Sequence, residues 1–169
     1  MKILKFISLL FITLLVSACS SNKDAKLITF NVATLRGVDT GRAYKSVIMP
    51  ITGTRLFVNT DIILYSGDIE KINVAENAMP MGGKIEGFYF TLNDRGIRKL
   101  TNATASNMGS YIVCSYNSNP IGLRIIDTVI TDGRLFVPSE YFDAKKTIHE
   151  FVEEMTDELD KVNEMKRDL

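Results

Sequence analysis

Residues 85–104 read IEGFYFTLNDRGIRKLTNAT. In the first eight positions Glu86, Phe88, Phe90 and Leu92 alternate with Ile85, Gly87, Tyr89 and Thr91, so after its charged first member the former set supplies the stronger apolar face of a strand. Asn93 then stands where a side-chain oxygen can accept an early helical N–H, and Asp94 falls in the first turn, where the helix dipole favours an acid. Ile97, Leu100, Thr104 and Met108 recur at helical spacing. The spacing predicts a helix over 94–106 with one apolar face laid on a sheet. Gly96 costs such a helix about 1 kcal/mol relative to Ala, which points to a close helix contact that excludes a side chain. Gly109 is a natural stop.

Toward the N-terminus, Leu27–Leu35 is rich in β-branched and apolar residues and predicts a first strand. A glycine-containing loop follows, then a short strand over Ser46–Met49 before Pro50, and two more over Arg55–Val58 and Asp61–Tyr65. Asp68–Val74 fits either a strand edge or a single helical turn. Asn77–Lys84, with Pro80, Gly82 and Gly83, reads as a loop on which Met79 and Met81 rest against the core. Toward the C-terminus, Tyr111–Tyr116 predicts a strand, Asn117–Pro120 a turn, Leu123–Ile130 a continuation of the sheet, Asp132-Gly133 a second turn and Arg134–Val137 a terminal strand stopped by Pro138. The last stretch is helical: Phe142, Ile148, Phe151, Val152, Met155, Leu159 and Val162 trace one face over Ala144–Met165, and acids occupy the rest. The expected fold is α+β, a mixed or antiparallel sheet packed by one short helix and one long C-terminal helix.

The chain begins MKILKFISLLFITLLVSAC. Two lysines, a largely apolar run from Phe6 to Val16 and small residues before Cys19 are the order of an export signal, and a run of eleven residues falls short of a bilayer span. Leu15-Val16-Ser17-Ala18-Cys19 resembles the bacterial lipoprotein signal, in which the cysteine is acylated and becomes the first mature residue. The implied organisation is a signal peptide over 1–18, a lipidated N-terminus and tether over 19–26, and one domain over 27–165. Ser20, rather than the aspartate of inner-membrane retention, implies an outer-membrane destination in a Gram-negative host. With Cys19 acylated, Cys114 has no intrachain partner and reads as a small buried hydrophobe in YIVCSY.

Composition narrows the function. The chain holds twenty Lys and Arg against twenty Asp and Glu, and loss of Lys2 and Lys5 with the leader leaves a slight acidic excess, which argues against nucleic acid as a partner. One His and two Cys argue against a metal centre or cofactor site built from protein ligands. His149 has no nucleophile motif beside it. The pairs Asp61/Asp68 and Asp127/Asp132 carry the residue types of a carboxylate dyad, but with twenty acids such pairs arise by coincidence. The glycines of GVDTG and GDIEK lack the Lys-Ser or Lys-Thr ending of a phosphate loop. The expectation is no catalytic site. On the long helix, Met155, Leu159 and Val162 extend the apolar stripe beyond what a small sheet can cover, which predicts a protein-binding surface there or on exposed sheet edges. The alternative is that residues 27–58 fold back and hide all three.

FYFTLNDRGIRKLTNAT, residues 88–104, resembles the periplasmic head region of the SecD protein-export subunit. Leu92, Gly96, Leu100 and Thr104 fall on that family's strand-to-helix pattern, Asn107 and Gly109 match the residues before its next strand, and Gly133 matches the glycine before its last head strand. The likeness runs over roughly residues 61–155, with Asn117-Ser118 where the family usually has Asp-Gly and Arg124 in place of a proline. The resemblance implies a head module held on a lipid: a non-catalytic cell-envelope lipoprotein on the periplasmic side. Envelope or exported proteins are the implied partners. A structural, self-associating envelope protein and a small envelope enzyme are the alternatives.

Overall fold

The computed structural model describes residues 26–37, 43–78 and 82–167. Strands β1 (Ile28–Thr34), β2 (Tyr44–Ile48) and β3 (Arg55–Tyr65) lead through a 3-10 turn, Ser66–Asp68, into β4 (Ile69–Ala78) and β5 (Lys84–Leu92). Helix α1 (Asp94–Ser106) follows, then β6 (Tyr111–Tyr116), β7 (Asn119–Ile125), β8 (Arg134–Pro138) and the long helix α2 (Ile148–Arg167). Every strand pairing is antiparallel. The expected class therefore holds, but the strands divide into two sheets, β2-β3-β1-β6-β7 and β4-β5-β8. Among the described residues no helix is long and apolar enough to cross a membrane.

The strand and helix read from 85–104 are where their chemistry put them. Phe88, Phe90 and Leu92 point into the core, and the Asn93 side chain accepts from the Gly96 N–H at 3.0 Å. The close contact at Gly96 is with the 3-10 turn: a Cβ there would stand 2.6 Å from the Asp68 carbonyl oxygen. The principal core joins the inner faces of the two sheets, with Phe30 of one set edge-on to Phe90 of the other at 4.9 Å, and Leu100, Phe151, Val152, Met155 and Leu159 of the helices complete it.

Several boundaries differ from the sequence expectation. The two short strands over 55–65 are one strand, and 69–78, whose pattern suits either a strand or a turn, is a strand. The loop expected over 77–84 is narrower, since β4 runs to Ala78 and β5 starts at Lys84, with 79–81 outside the described residues. The turn after β6 is only Asn117-Ser118, both at positive φ (48° and 67°), so β7 starts at Asn119 and ends at Ile125. Positive φ at both central residues matches the right-handed strand twist of a tight hairpin. Pro120 is tolerated because β7 lies at a sheet edge. Helix α2 starts at Ile148 rather than Ala144: Thr147 and Glu150 form a reciprocal cap in which the Thr147 N–H donates to the Glu150 carboxylate and the Glu150 N–H to the Thr147 hydroxyl. Phe142 therefore lies outside the helix and does not join its stripe.

A second, smaller core of Ala33, Met49, Leu56, Val58 and Val113 lies on the other face of the five-stranded sheet, since Val113 alternates with Ile112 and Cys114 of the main core. Among the described residues, partly buried Val47, Tyr111 and Leu123 of the same sheet pack against it. In β3 the register jumps, Asn31 facing Ile62 while Ala33 faces Val58, and the extra residues bend the strand. Asn31 fills the gap by donating through its side-chain amide to the carbonyls of Asn59 and Asp61 at 3.0 and 3.1 Å. The β2–β3 hairpin curls over, and its turn reaches Glu140, whose buried carboxylate accepts the Ile51 and Thr52 N–H groups at 2.8 and 2.9 Å. In a flat sheet β3 and β7 would stand about 14 Å apart, yet Pro50 shares one cleft with Asn119, Pro120 and Ile121.

Candidate functional site

That cleft, about 220 Å³, is bordered by Pro50 on the β2–β3 turn, Tyr116 and Asn119–Ile121 at the β6–β7 hairpin, Glu140–Phe142 ahead of α2, and Phe151 on α2. Its floor is aromatic. Tyr141 stacks on Phe151 at 3.9 Å between ring centroids, and Tyr116 meets Phe151 edge-on at 5.3 Å. Phe142 stands out from the rim with 77% of its surface exposed.

Beside the cleft, Glu154 of α2 gathers three donors: Lys146 from the preceding loop, Lys26 from the start of the domain, and the Tyr116 hydroxyl at 3.1 Å. The hydrogen bonds from Lys146 and Lys26 hold the Glu154 carboxyl at about 2, well below the usual carboxylate range. Burial and the adjacent Glu154 push the Tyr116 phenol up, so it stays a donor. The Lys26 ammonium also lies 5.7 Å from the centroid of the Tyr116 ring. The point where residues 1–25 join the domain is thus fastened to α2.

A second polar cluster secures α1. Asp68, fully buried, receives Arg95 Nε at 2.7 Å and Lys99 Nζ at 2.9 Å. Burial alone would raise its carboxyl, but Lys99, the Tyr65 N–H and Arg95 together hold it below the ordinary value. Arg95 and Lys99 also lie over the Tyr65 ring, and the Asn93 side chain donates to the Gly67 carbonyl at 3.0 Å. This is an anchoring cluster for the first turn of the helix, built from GDIEK and NDRGIRK.

The residues singled out in the sequence do not converge. Cys19 lies outside the described residues. Met155 and Leu159 are buried in the main core, and Val162 is half-buried. The exposed stripe expected on the distal turns of α2 is therefore not offered by the folded chain. That face packs against β4 and the 3-10 turn, and Ile28 and Phe30, from the start of the 27–58 segment of the alternative, share its core cluster. The reason lies in 69–78: as a strand it extends the second sheet under the helix. His149 is exposed. Asp68 is committed to Arg95 and Lys99 while Asp61 is exposed; Asp127 pairs with Arg124, and Asp132 accepts the Arg134 N–H. Cys114 is buried, and burial pushes its thiol well up. Among the described residues no cluster of His, Cys, Asp and Glu is placed to hold a metal ion. Arg124 donates to the Phe136 carbonyl at 3.0 Å, joining β7 to β8 across the two sheets as a proline could not.

Sequence reasoning missed Lys26, Glu140, Tyr141 and Glu154. The one local signal available was Thr147-x-x-Glu150, a capping-box pattern that would have started the helix after Thr147 instead of at Ala144.

No family model matches the chain, and no curated protein matches it. Among solved structures, the chain is similar to a crystal structure of SecDF in its super-membrane-facing form, at 12% identity and a TM-score of 0.45, over 68% of this chain and 16% of that one. It is also similar to a structure of SecDF described as a membrane component that enhances protein export, at 13% identity and a TM-score of 0.46, over 80% of this chain and 60% of that one. The chain thus spans less than two thirds of either relative. At these values the likeness is a partial overlap of fold and supplies no functional argument.

Proposed function

We propose that the chain is a non-catalytic lipoprotein of the cell envelope: a domain over 27–165, held through acylated Cys19 and the tether 19–26 on the periplasmic side of the membrane, acting as a protein-binding or accessory module. The observation that carries this reading is the Leu15–Cys19 signal directly ahead of a folded domain. Two features support a binding role over catalysis. The buried carboxylates Asp68 and Glu140 are each engaged in holding elements together, and among the described residues β2 is the last strand on its side of the five-stranded sheet. Exposed edges accept an added strand through backbone hydrogen bonds. The resemblance of residues 88–104 to the SecD head makes envelope or exported polypeptides the partners to seek.

Replacing Cys19 by serine is expected to move the protein to the soluble fraction or leave it unprocessed, and intact mass of the wild-type membrane form is expected to show acyl chains on Cys19. An unmodified mature N-terminus would refute the anchor. A photo-crosslinker at exposed Ser46 on β2, used in intact envelopes, is expected to recover exported or export-machinery proteins. Capture of only a second copy would support a structural assembly instead.

A further inference from the structure

We propose that the loop before α2 and the β2–β3 turn form a lipid-facing edge, with Phe142 and Ile51 entering the headgroup boundary of the membrane that holds the tether. This rests on the proposed acylation of Cys19. Phe142, 77% exposed, is the most exposed large apolar side chain among the described residues, and Ile51 is exposed to 57%. Both line one open groove of about 360 Å³ with Ile148, Lys84 and Lys146. Phe142 also shares the aromatic cleft with Tyr116, the ring over which Lys26 is held.

Chain length then orients the domain. Cys19 and Lys26 are seven residues apart, so even a fully extended chain places Lys26 within about 25 Å of the lipid. Lys26 is bound to Glu154 beside the cleft, so the Phe142 end of the domain is the end nearest the membrane. The chemistry of YFDAKK, residues 141–146, suits that position: aromatic rings settle at headgroup depth, and the stem of exposed Lys145 lets its ammonium group reach phosphate while Lys146 stays on Glu154. Phe142 protrudes rather than recedes, which suits insertion into a soft medium better than reception of a side chain from a folded partner. The acidic exposed residues of α2, Glu150, Glu153 and Asp157, confine the contact to the loop and turn, because interfacial helices rely on basic polar faces.

The chain contains no tryptophan, so one can be introduced as a reporter. The full acylated protein carrying Phe142→Trp, and separately Ile51→Trp, is reconstituted in phosphatidylethanolamine–phosphatidylglycerol vesicles doped with brominated phosphatidylcholine, with circular dichroism confirming the fold. Met108→Trp, at an exposed site by the opposite end of β6 from Tyr116, serves as the control. The proposal expects blue-shifted emission and several-fold stronger quenching at Phe142→Trp or Ile51→Trp than at Met108→Trp. Acylated protein in which neither reporter is quenched more than Met108→Trp overturns the lipid-facing edge and leaves the anchor standing, with the ridge free for a polypeptide. Protein without acyl mass overturns both.

Discussion

Glu154 and Ser118 show how single residues carry more than their positions in the sequence suggest. The Glu154 carboxyl titrates at about 2 in the folded chain, against about 4.3 in an unfolded one. Its stabilising contribution is therefore complete above the unfolded value and is lost as pH falls through the folded one. The difference corresponds to something on the order of 2–3 kcal/mol. Denaturant titrations from pH 6 down to pH 2 are expected to show Glu154→Gln with a flatter pH dependence than wild type, and an equal slope in both proteins would remove Glu154 as its source. Ser118 holds φ at 67° with an ordinary side chain. Left-handed backbone costs an L-residue about 1–2 kcal/mol, part of which glycine returns as chain entropy. Ser118→Gly is expected to raise stability by about 0.5–1 kcal/mol, read as a higher urea midpoint at unchanged slope.

At the scale of elements, α1 was legible almost to the residue. Its cap, first-turn acid and apolar face lie within one short window, and local hydrogen bonding determines where it begins. Helix α2 was legible in its stripe but not in its surroundings. Met155 and Leu159 were expected to overhang a small sheet; both are buried because 69–78 forms a strand whose pattern was compatible with two readings. Burial sets the cost of truncation. Leu159→Ala is expected to lose about 2–5 kcal/mol by leaving a cavity in the core. Calorimetry or chemical denaturation reads this directly, and a loss within about 0.5 kcal/mol, as for a surface site, would mean that the end of α2 is not packed. Helix α1 depends in the same way on the 3-10 turn, because Gly96 and Asp68 bring its first turn against backbone.

At the scale of the whole molecule, the curl of the five-stranded sheet brings the β2–β3 turn, the loop before α2 and Lys26 to one end. Glu140 closes that curl through the Ile51 and Thr52 amides. A buried carboxylate in such a role contributes about 1.5–3 kcal/mol. Glu140→Ala is expected to speed hydrogen exchange in β2 and the first half of β3 while β5 and β6 keep their protection; uniform acceleration would instead indicate global destabilisation. The sequence by itself determined the α+β class, the cap and span of α1, the apolar face of β5 and the stripe of α2. Each of these is written in contiguous residues whose periodicity or hydrogen-bonding chemistry acts locally. Only the tertiary structure decided the division into two sheets, the bend at Asn31, the burial of Met155 and Leu159, and the meeting of Lys26, Tyr116, Lys146 and Glu154. Those features join residues as much as 128 positions apart, and the free energy that selects them comes from closing two cores at once, which no local window of side chains can specify.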